Sequence, residues 1–129
     1  LDLAYYGDAV YEVYIRRHLL AKCITKPAKL QRESKKYVSA KAHAALYALI
    51  EAEGIYTETE QKYFKRGRNA NSHTKAKNTD VVTYRISTGF EAVFGYLGAS
   101  DQTERLEELI SWIYKQVESG RTVNHGTTK

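Results

Sequence analysis

The chain has 129 residues, of which 43% are hydrophobic and 27% are charged, with one proline and eight glycines. That length suits a single domain, and the composition excludes a disordered chain and a turn-rich β-sandwich, so we expect an all-α fold. The formal net charge is +5 and no apolar run is long enough to span a membrane, so the expected partner is a polyanion rather than a bilayer.

The first half of the chain carries the signals of three helices. Residues 3–20 form the first, because apolar side chains recur at intervals of three and four, at Leu3, Tyr6, Val10 and Val13. A neighbouring face is apolar as well, so this helix is predicted to be central. A second helix begins at residues 25–27, where Thr25 can cap it and proline suits the first turn. A longer helix runs from about Lys36 to Gly54, which can end it in the left-handed conformation.

Three further helices are predicted in the second half. Thr57 and Glu60 have the spacing of a capping box, which opens a short helix that leads to a polar loop over residues 69–78. The next helix begins near Thr79 or Asp80 and buries a stripe made of Ile86, Phe90, Val93, Phe94 and Leu97. The last covers about residues 102–117 and has the clearest period, in Leu106, Leu109, Ile110, Ile113 and Val117.

We therefore expect one helical domain over residues 1–120 and a polar, flexible tail over residues 121–129. The single cysteine, Cys23, cannot form an internal disulfide, which favours a reducing cytoplasmic compartment. Its side chain is expected to be partly buried and inert. His18 and His43 are expected to be ordinary helix residues.

Positive charge is concentrated in two stretches of the chain. Residues 16–41 contain nine lysines and arginines against one acid, Glu33, and residues 62–77 contain six and no acid. Residues 101–118 are acidic instead, with five acids and two bases. A molecule with one basic side attracts a polyanion, although the same pattern is also typical of ordinary solvated helix surface.

Two carboxylates fall on predicted helices among small or apolar neighbours. Asp8 lies between a glycine and an alanine, and Glu91 lies between a phenylalanine and an alanine. Burying an ionised carboxylate is costly unless a cation compensates it, and Mg²⁺ prefers such oxygen ligands. One acid from each of two crossing helices would suffice, and the adjacent glycines would leave room for metal, water and a phosphodiester. The residues alone leave another interpretation open, in which Asp8 pairs with Arg16 or Arg17 and Glu91 is a surface charge.

The motifs around these two acids resemble those of the ribonuclease III family. Residues 6–10, Tyr-Gly-Asp-Ala-Val, resemble the signature of that family's first catalytic helix, and residues 89–92, Gly-Phe-Glu-Ala, resemble its second. More narrowly, residues 65–70, 77–81, and 83–85 with 87–88 are similar to the Mini-ribonuclease III group within this family. The resemblance covers the chain from Leu3 to about Leu97.

The resemblance implies an all-α, dimeric endonuclease fold and a magnesium-dependent endoribonuclease for double-stranded RNA, with Mn²⁺ able to substitute. Asp8 and Glu91 would be the catalytic residues and the metal ligands, activating a water for attack on phosphorus. Members of the group lack a separate double-stranded RNA-binding domain and mature the precursor of large-subunit (23S) ribosomal RNA. A homodimer would cut both strands, and a ribosomal protein is a further candidate partner.

The polar loop and the basic sequence before it form the predicted RNA contact. Duplex RNA is recognised by its shape, its 2′-hydroxyls and its phosphates, which suits basic and amide side chains. The candidate residues are Lys65, Arg66, Arg68, Asn69, Asn71, Ser72, Lys75, Lys77 and Asn78. The alternative is an ordinary surface connection.

This sequence departs from full-length ribonuclease III enzymes in its acids. Those enzymes carry further acids near the two carboxylates, at positions that hold Leu1, Ala4 and Thr88 here. The Mini-ribonuclease III group resembles this chain in having the same reduction, which leaves the number of metals open. A non-catalytic module that binds structured RNA during ribosome assembly is the alternative function, and a helical protein-interaction domain is a weaker one.

Overall fold

Six α-helices and no strand make up the part of the chain that the computed structural model describes, residues 2–70 and 80–123. They are α1 (Leu3–Ala21), α2 (Pro27–Val38), α3 (Ala40–Glu53), α4 (Glu58–Asn69), α5 (Val81–Ala99) and α6 (Thr103–Glu118). The predicted all-α fold is confirmed.

Helix α5 lies at the centre and packs against α1, α3, α4 and α6. Its sequence explains that position, because small and large apolar residues occupy most of its sides. Phe90, Val93, Phe94 and Leu97 are buried as predicted, whereas Ile86 is half-buried. All five predicted apolar positions of α6 are buried as well. Burial of one such side chain contributes ~1.5–3 kcal/mol, so these two stripes are a main source of stability.

Helix α1 is covered on one face only. It buries Tyr11 and Ile15, while Tyr6 and Val13, which the sequence pattern assigned to the core, are 43% and 53% exposed. The prediction of a central first helix is therefore wrong, and α5 takes that place. The pattern was ambiguous because apolar residues lie on two faces of α1, and periodicity does not say which face the other helices cover.

The linker between α1 and α2 differs from the prediction in two details. Lys26 precedes the first residue of α2 and makes no side-chain capping bond, so Thr25 does not cap the helix. Cys23 is exposed rather than partly buried, and it has a left-handed φ of 61°. Both details follow from the position of the linker on the surface. Of residues 22–26, Ile24 is half-buried and the other four are exposed.

Helix α3 begins at Ala40 rather than near Lys36. Ser39 interrupts the helical stretch with an extended backbone, and its side chain accepts a hydrogen bond from the Ala42 backbone N–H at 3.1 Å. Such a serine cap satisfies a free N–H group at a helix start, so it stabilises the break. Val38 consequently belongs to α2.

Three other helix ends follow the sequence signals. Gly54 ends α3 with a φ of 62°. Thr57 and Glu60 form the complete capping box of α4. Asp80 caps α5 by accepting a hydrogen bond from the Thr83 backbone N–H at 2.8 Å.

Glu60 also joins α4 to α6. It is 2% exposed, and both of its carboxylate oxygens accept hydrogen bonds at 2.8 Å from the guanidinium of Arg105. Arg105 donates further to the Ile55 carbonyl at 2.8 Å and to Glu108 at 2.7 Å. Burial by itself would raise the pKa of Glu60, but the hydrogen bonds from Arg105 and Thr57 and the positive charge of Arg105 together outweigh it and hold that pKa below its ordinary value. The pair therefore stays ionised at neutral pH.

Parts of two predicted segments lie outside the described residues: 71–78 of the polar loop and 124–129 of the tail. At the start of the tail, Arg121 donates hydrogen bonds to Gln116 and, at 2.5 Å, to Glu53. The flexible tail stays a prediction. No helix in the described ranges has the length and apolar character needed to cross a membrane.

Candidate active site

Helices α1 and α5 cross at two glycines, and this crossing positions the two predicted acids. A Cβ atom added to Gly7 would lie 1.8 Å from the carbonyl oxygen of Glu91. A Cβ atom added to Gly95 would lie 1.9 Å from that of Leu3. The backbones can approach so closely only because these residues lack a side chain. The expectation that the glycines leave room for metal and substrate is therefore wrong: they bring the helices into contact.

Asp8 and Glu91 meet beside this crossing, with their side chains within hydrogen-bonding reach of each other. Asp8 is exposed and Glu91 is half-buried. Burial, the negative charge of Asp8 and the hydrogen bond with Asp8, in that order of importance, are the main causes that raise the pKa of Glu91 to about 8. Without a cation, Glu91 therefore holds a proton at neutral pH.

The interpretation in which Asp8 pairs with an arginine is wrong for these residues. The guanidinium of Arg16 binds Glu12 at 2.9 Å instead, and within the described ranges Arg17 forms no ion pair. The charges of Asp2 and Glu12 are smaller contributions to the raised pKa of Glu91. The site is therefore electronegative and attracts a cation.

The chemistry of this donor set fits a hard divalent cation. Mg²⁺ is commonly held by one or two carboxylates and keeps several waters, so an Asp and a Glu side by side are sufficient. Across residues 2–70 and 80–123, no three side chains of the metal-binding types cluster together. Thr88, three residues before Glu91, donates its hydroxyl to the Tyr84 carbonyl at 3.0 Å. Among the described residues, the candidate ligands are thus limited to the pair.

A buried histidine supports the segment that carries Glu91. His43 is 0% exposed, and its Nδ1 lies 2.8 Å from the hydroxyl of Ser87, one turn before Glu91. Its ring stacks on Phe90 with 4.5 Å between ring centroids and meets Tyr11 edge-on at 5.3 Å. Burial lowers the pKa of His43 to about 3, so the ring is neutral at physiological pH. His43 was expected to be an ordinary helix residue, and nothing in the sequence indicated this contact.

The described members of the predicted RNA contact lie at the C-terminal end of α4. Lys65, Arg66 and Asn69 are exposed and line one open groove. Arg68 is half-buried, with its guanidinium 5.8 Å from the centre of the Phe64 ring and its Nε donating to Asn69 at 3.1 Å. Asn69 is the last residue of α4 rather than the first of a loop. The remaining candidates lie outside the described residues: Asn71, Ser72, Lys75, Lys77 and Asn78.

This basic end of α4 lies next to the stretch of α5 that carries Glu91. A Cβ atom added to Gly67 would lie 2.7 Å from the Cβ of Ala92 and 3.0 Å from the Cα of Gly89. Glycine at position 67 therefore lets α4 pack closely on α5. The structure brings positive charge and the acid pair to neighbouring parts of the fold.

A helical domain with a paired Asp and Glu at the crossing of two helices, beside a basic helix end, has the features of a metal-dependent nuclease. The family model described as Ribonuclease III domain matches residues 1–102. The chain belongs to the ribonuclease III family, as its motifs suggested. It is therefore an endoribonuclease whose substrate class is double-stranded RNA and which takes part in ribosomal RNA processing. Enzymes of this family generally depend on a divalent metal.

The chain is similar to proteins named Mini-ribonuclease 3 over nearly their whole length. The one from Streptococcus pneumoniae is 63% identical over 118 residues, which cover 92% of this chain and 92% of that protein. The one from Enterococcus faecalis is 56% identical over 117 residues, covering 91% and 89%. A crystal structure of a Fusobacterium nucleatum protein has a TM-score of 0.77 at 27% identity and covers 89% of this chain and 90% of that one. The expected resemblance to this group is confirmed.

Proposed function

We propose that Asp8 and Glu91 form the catalytic centre and hold Mg²⁺, with Mn²⁺ able to replace it. The observation that carries this proposal is the contact between the two carboxyl groups, together with the raised pKa of Glu91. Two adjacent acids disfavour each other's ionisation, so they gain more from a divalent cation than a lone acid does.

The two acids have different tasks in this proposal. Bound at the pair, the metal would supply a Lewis acid that activates a water and stabilises negative charge on the phosphodiester. Glu91 must release the proton from its carboxyl group, and the contact with Gly7 holds its backbone in place. Asp8 is the more exposed acid, so it lies closer to the solvent from which RNA approaches. A side-chain nucleophile is not required.

The C-terminal end of α4 is the proposed RNA contact. Lys65 and Arg66 are exposed there and form no ion pair with another described residue, so their charges can meet phosphates. Arg68 and Asn69 add further donors. In this proposal, the contact continues along the chain through Asn71, Ser72, Lys75, Lys77 and Asn78.

Two copies of the chain are proposed to associate through α1. Tyr6, Val13 and Leu20 are spaced seven residues apart, so they form one exposed apolar stripe along the helix. A duplex has two strands to cut, and each chain contributes one Asp8–Glu91 pair. A second copy packed on the stripe would bury its apolar surface and supply the second pair.

The proposed substrate is the precursor of large-subunit ribosomal RNA. Support comes from the motifs of residues 65–88 and from the similarity to proteins named Mini-ribonuclease 3. A ribosomal protein as a partner and a cytoplasmic location stay predictions from the sequence.

The test is to incubate the protein with this precursor, with and without Mg²⁺, and to map the ends of the products. We expect discrete cuts on both strands of one duplex region, only in the presence of the metal. A protein that binds the precursor but leaves it intact with either Mg²⁺ or Mn²⁺ would instead be the non-catalytic RNA-binding module.

A further inference from the structure

Helix α2 presents a row of positive charges that the proposed catalytic centre and RNA contact do not include. Lys29, Arg32 and Lys36 are separated by three and four residues, so they lie along one side of the helix, and Lys35 flanks them. All four side chains are exposed, whereas Tyr37 on another side of α2 is buried in the core. The core therefore does not use this side.

The row continues beyond both ends of α2, with Lys26 before the helix and Lys41 at the start of α3. We refer to these six exposed residues as the α2 basic surface: Lys26, Lys29, Arg32, Lys35, Lys36 and Lys41. Lys36 pairs with Glu33 at 3.1 Å. The other five form no ion pair with any residue in the ranges 2–70 and 80–123. Their charge is thus available to a partner.

Part of this arrangement is unfavourable for the helix that carries it; Lys35 and Lys36 lie in the last turn, where cations are favoured. Arg32 has a like charge three or four residues away at Lys29, Lys35 and Lys36, and such pairs destabilise a helix. The N-terminal end of a helix favours acids, yet α2 has no acid in its first turn and no side-chain cap. Helix α4, by contrast, has Glu58 and Glu60 in its first turn. A bound polyanion would relieve both unfavourable features of α2.

The α2 basic surface runs beside the helix that carries Asp8. At one end of α2, Pro27 shares a groove with Leu19 of α1, and at the other the Tyr11 hydroxyl donates to the Tyr37 carbonyl at 2.8 Å. Helix α2 therefore folds back along α1. Tyr11 is one turn from Asp8, and the helical rise puts Leu19 on the order of 17 Å from Asp8 along the axis. One RNA duplex can span that distance.

We propose that the α2 basic surface is a second RNA contact, which binds phosphates of the duplex beyond the cleavage point. The proposal rests on the proposed function, because its occupant is the same double-stranded RNA. Closely spaced cations with few acids match the repeated charges of a phosphate backbone. An acidic protein fits less well, because none of the exposed large hydrophobic side chains in the described residues lies on α2.

The test compares two variants with the same change in net charge. Lys29→Gln/Arg32→Gln/Lys35→Gln removes three cations from the α2 basic surface. Ser111→Glu/Lys115→Glu also lowers the formal net charge by three, but at exposed positions on the acidic helix α6. Because the two variants have the same net charge, a difference in their RNA binding reports a local contact at the α2 basic surface.

Binding is measured by fluorescence anisotropy without metal, at several salt concentrations. A double-stranded RNA-binding fold covers roughly 16 base pairs. One probe is an RNA duplex shorter than this length, and the other is a duplex about twice as long. For the long duplex, we expect the triple variant to lose about tenfold or more in affinity, and the slope of log affinity against log salt to fall by about two to three. The short duplex and the α6 control should bind like the unmodified protein. With Mg²⁺, kcat at saturating long duplex should stay unchanged while KM rises.

Equal losses in the triple variant and the α6 control would overturn the proposal, because net charge alone would then explain them. An unchanged salt slope for the triple variant would overturn it too. A triple variant that keeps its affinity for the duplex but loses binding to polyglutamate would also overturn the proposal, because that result indicates an acidic protein partner. If the triple variant does not fold, Lys29→Gln and Lys35→Gln are tested singly, each with an expected slope change of about one. Because binding is read without metal, loss of cleavage in an Asp8 variant leaves this result unaffected.

Discussion

The backbone of Gly7 in α1 lies against the backbone of Glu91 in α5, so closely that an added Cβ atom would be 1.8 Å from the Glu91 carbonyl oxygen. Asp8 follows Gly7 directly, so the contact that sets the distance between the helices also sets the distance between the two acids. The acid pair therefore depends on a glycine that carries no chemistry of its own.

The first prediction concerns this contact. Gly7→Ala is expected to force the helices apart, to lower the free energy of unfolding by about 1–3 kcal/mol or more, and to reduce cleavage. Urea unfolding and a cleavage assay measure the two effects. Gly98→Ala is the matched control, because its Cβ would lie 3.2 Å from side-chain atoms of Tyr6 and Val10, which can shift. Equal losses for the two variants would contradict this account of Gly7.

A second prediction concerns the ion pair between α4 and α6. Arg105→Ala leaves Glu60 buried and ionised without its partner, so we expect the free energy of unfolding to fall by about 3–5 kcal/mol. Glu108→Ala removes only an exposed partner of the same arginine and should change the free energy of unfolding by about 1 kcal/mol at most. Chemical unfolding at neutral pH measures both variants. A small effect of Arg105→Ala would show that Glu60 is not held by this pair.

A third prediction concerns acid stability through His43. Its pKa is lowered to about 3 in the folded state by burial, whereas the unfolded chain binds a proton near pH 6.5. The unfolded state therefore takes up a proton first as the pH falls, and the contribution of His43 to stability, complete above about pH 6.5, declines towards pH 3. Between pH 7 and pH 5 the loss should be about 2 kcal/mol. His43→Gln should remove that part of the pH dependence of urea unfolding, and an unchanged dependence would contradict the prediction.

A fourth prediction concerns the metal and the proton on Glu91. The folded-state pKa of about 8 lies above the ordinary value, so the metal-free protein loses the stability associated with this group as the pH rises from about 4.5 to about 8. A cation must displace the proton, so Mg²⁺ affinity should fall as the pH drops below about 8. Calorimetry in buffers of different ionisation enthalpy should detect release of up to about one proton at pH 7. Glu91→Gln should release none, and Mg²⁺ affinity that does not vary between pH 6 and pH 8 would contradict the prediction.

The acid pair could be predicted from the sequence because its two motifs combine an unusual environment with a family resemblance. The same motifs gave a wrong prediction for the glycines. Spacing along a chain does not show whether the missing side chain of a glycine leaves a cavity or lets another backbone pack against it. At Gly7 and Gly95, the backbone of the other helix packs directly against the glycine. Only the crossing of α1 and α5 decides between the two.

The break between α2 and α3 at Ser39 could not be predicted from the sequence for a related reason. The apolar pattern continues from Val38 into α3, so periodicity alone favours one helix. Burial of Tyr37 at the end of α2 and the Ser39 cap together end that helix, and the first of these depends on tertiary packing.

The partners of His43 and Glu60 show the same limit. His43 lies three residues before Leu46 on the buried face of α3, which indicates burial, but nothing in the sequence identifies Ser87 as its partner. The capping role of Glu60 is local and was predicted correctly. Its pairing with Arg105 joins residues far apart in the chain, and the sequence offers several other arginines.

The measurement that tests the central claim most directly is single-turnover cleavage of duplex RNA in Mg²⁺ by Asp8→Asn and Glu91→Gln. Each variant should lose at least ~10³-fold in rate, because several kcal/mol of transition-state stabilisation depend on the metal that the pair holds. Circular dichroism and RNA affinity should stay close to those of the unmodified protein, and Glu107→Gln, at an exposed acid of α6, should cut at the normal rate. Cleavage at an undiminished rate by either Asp8→Asn or Glu91→Gln would contradict the assignment of the catalytic centre.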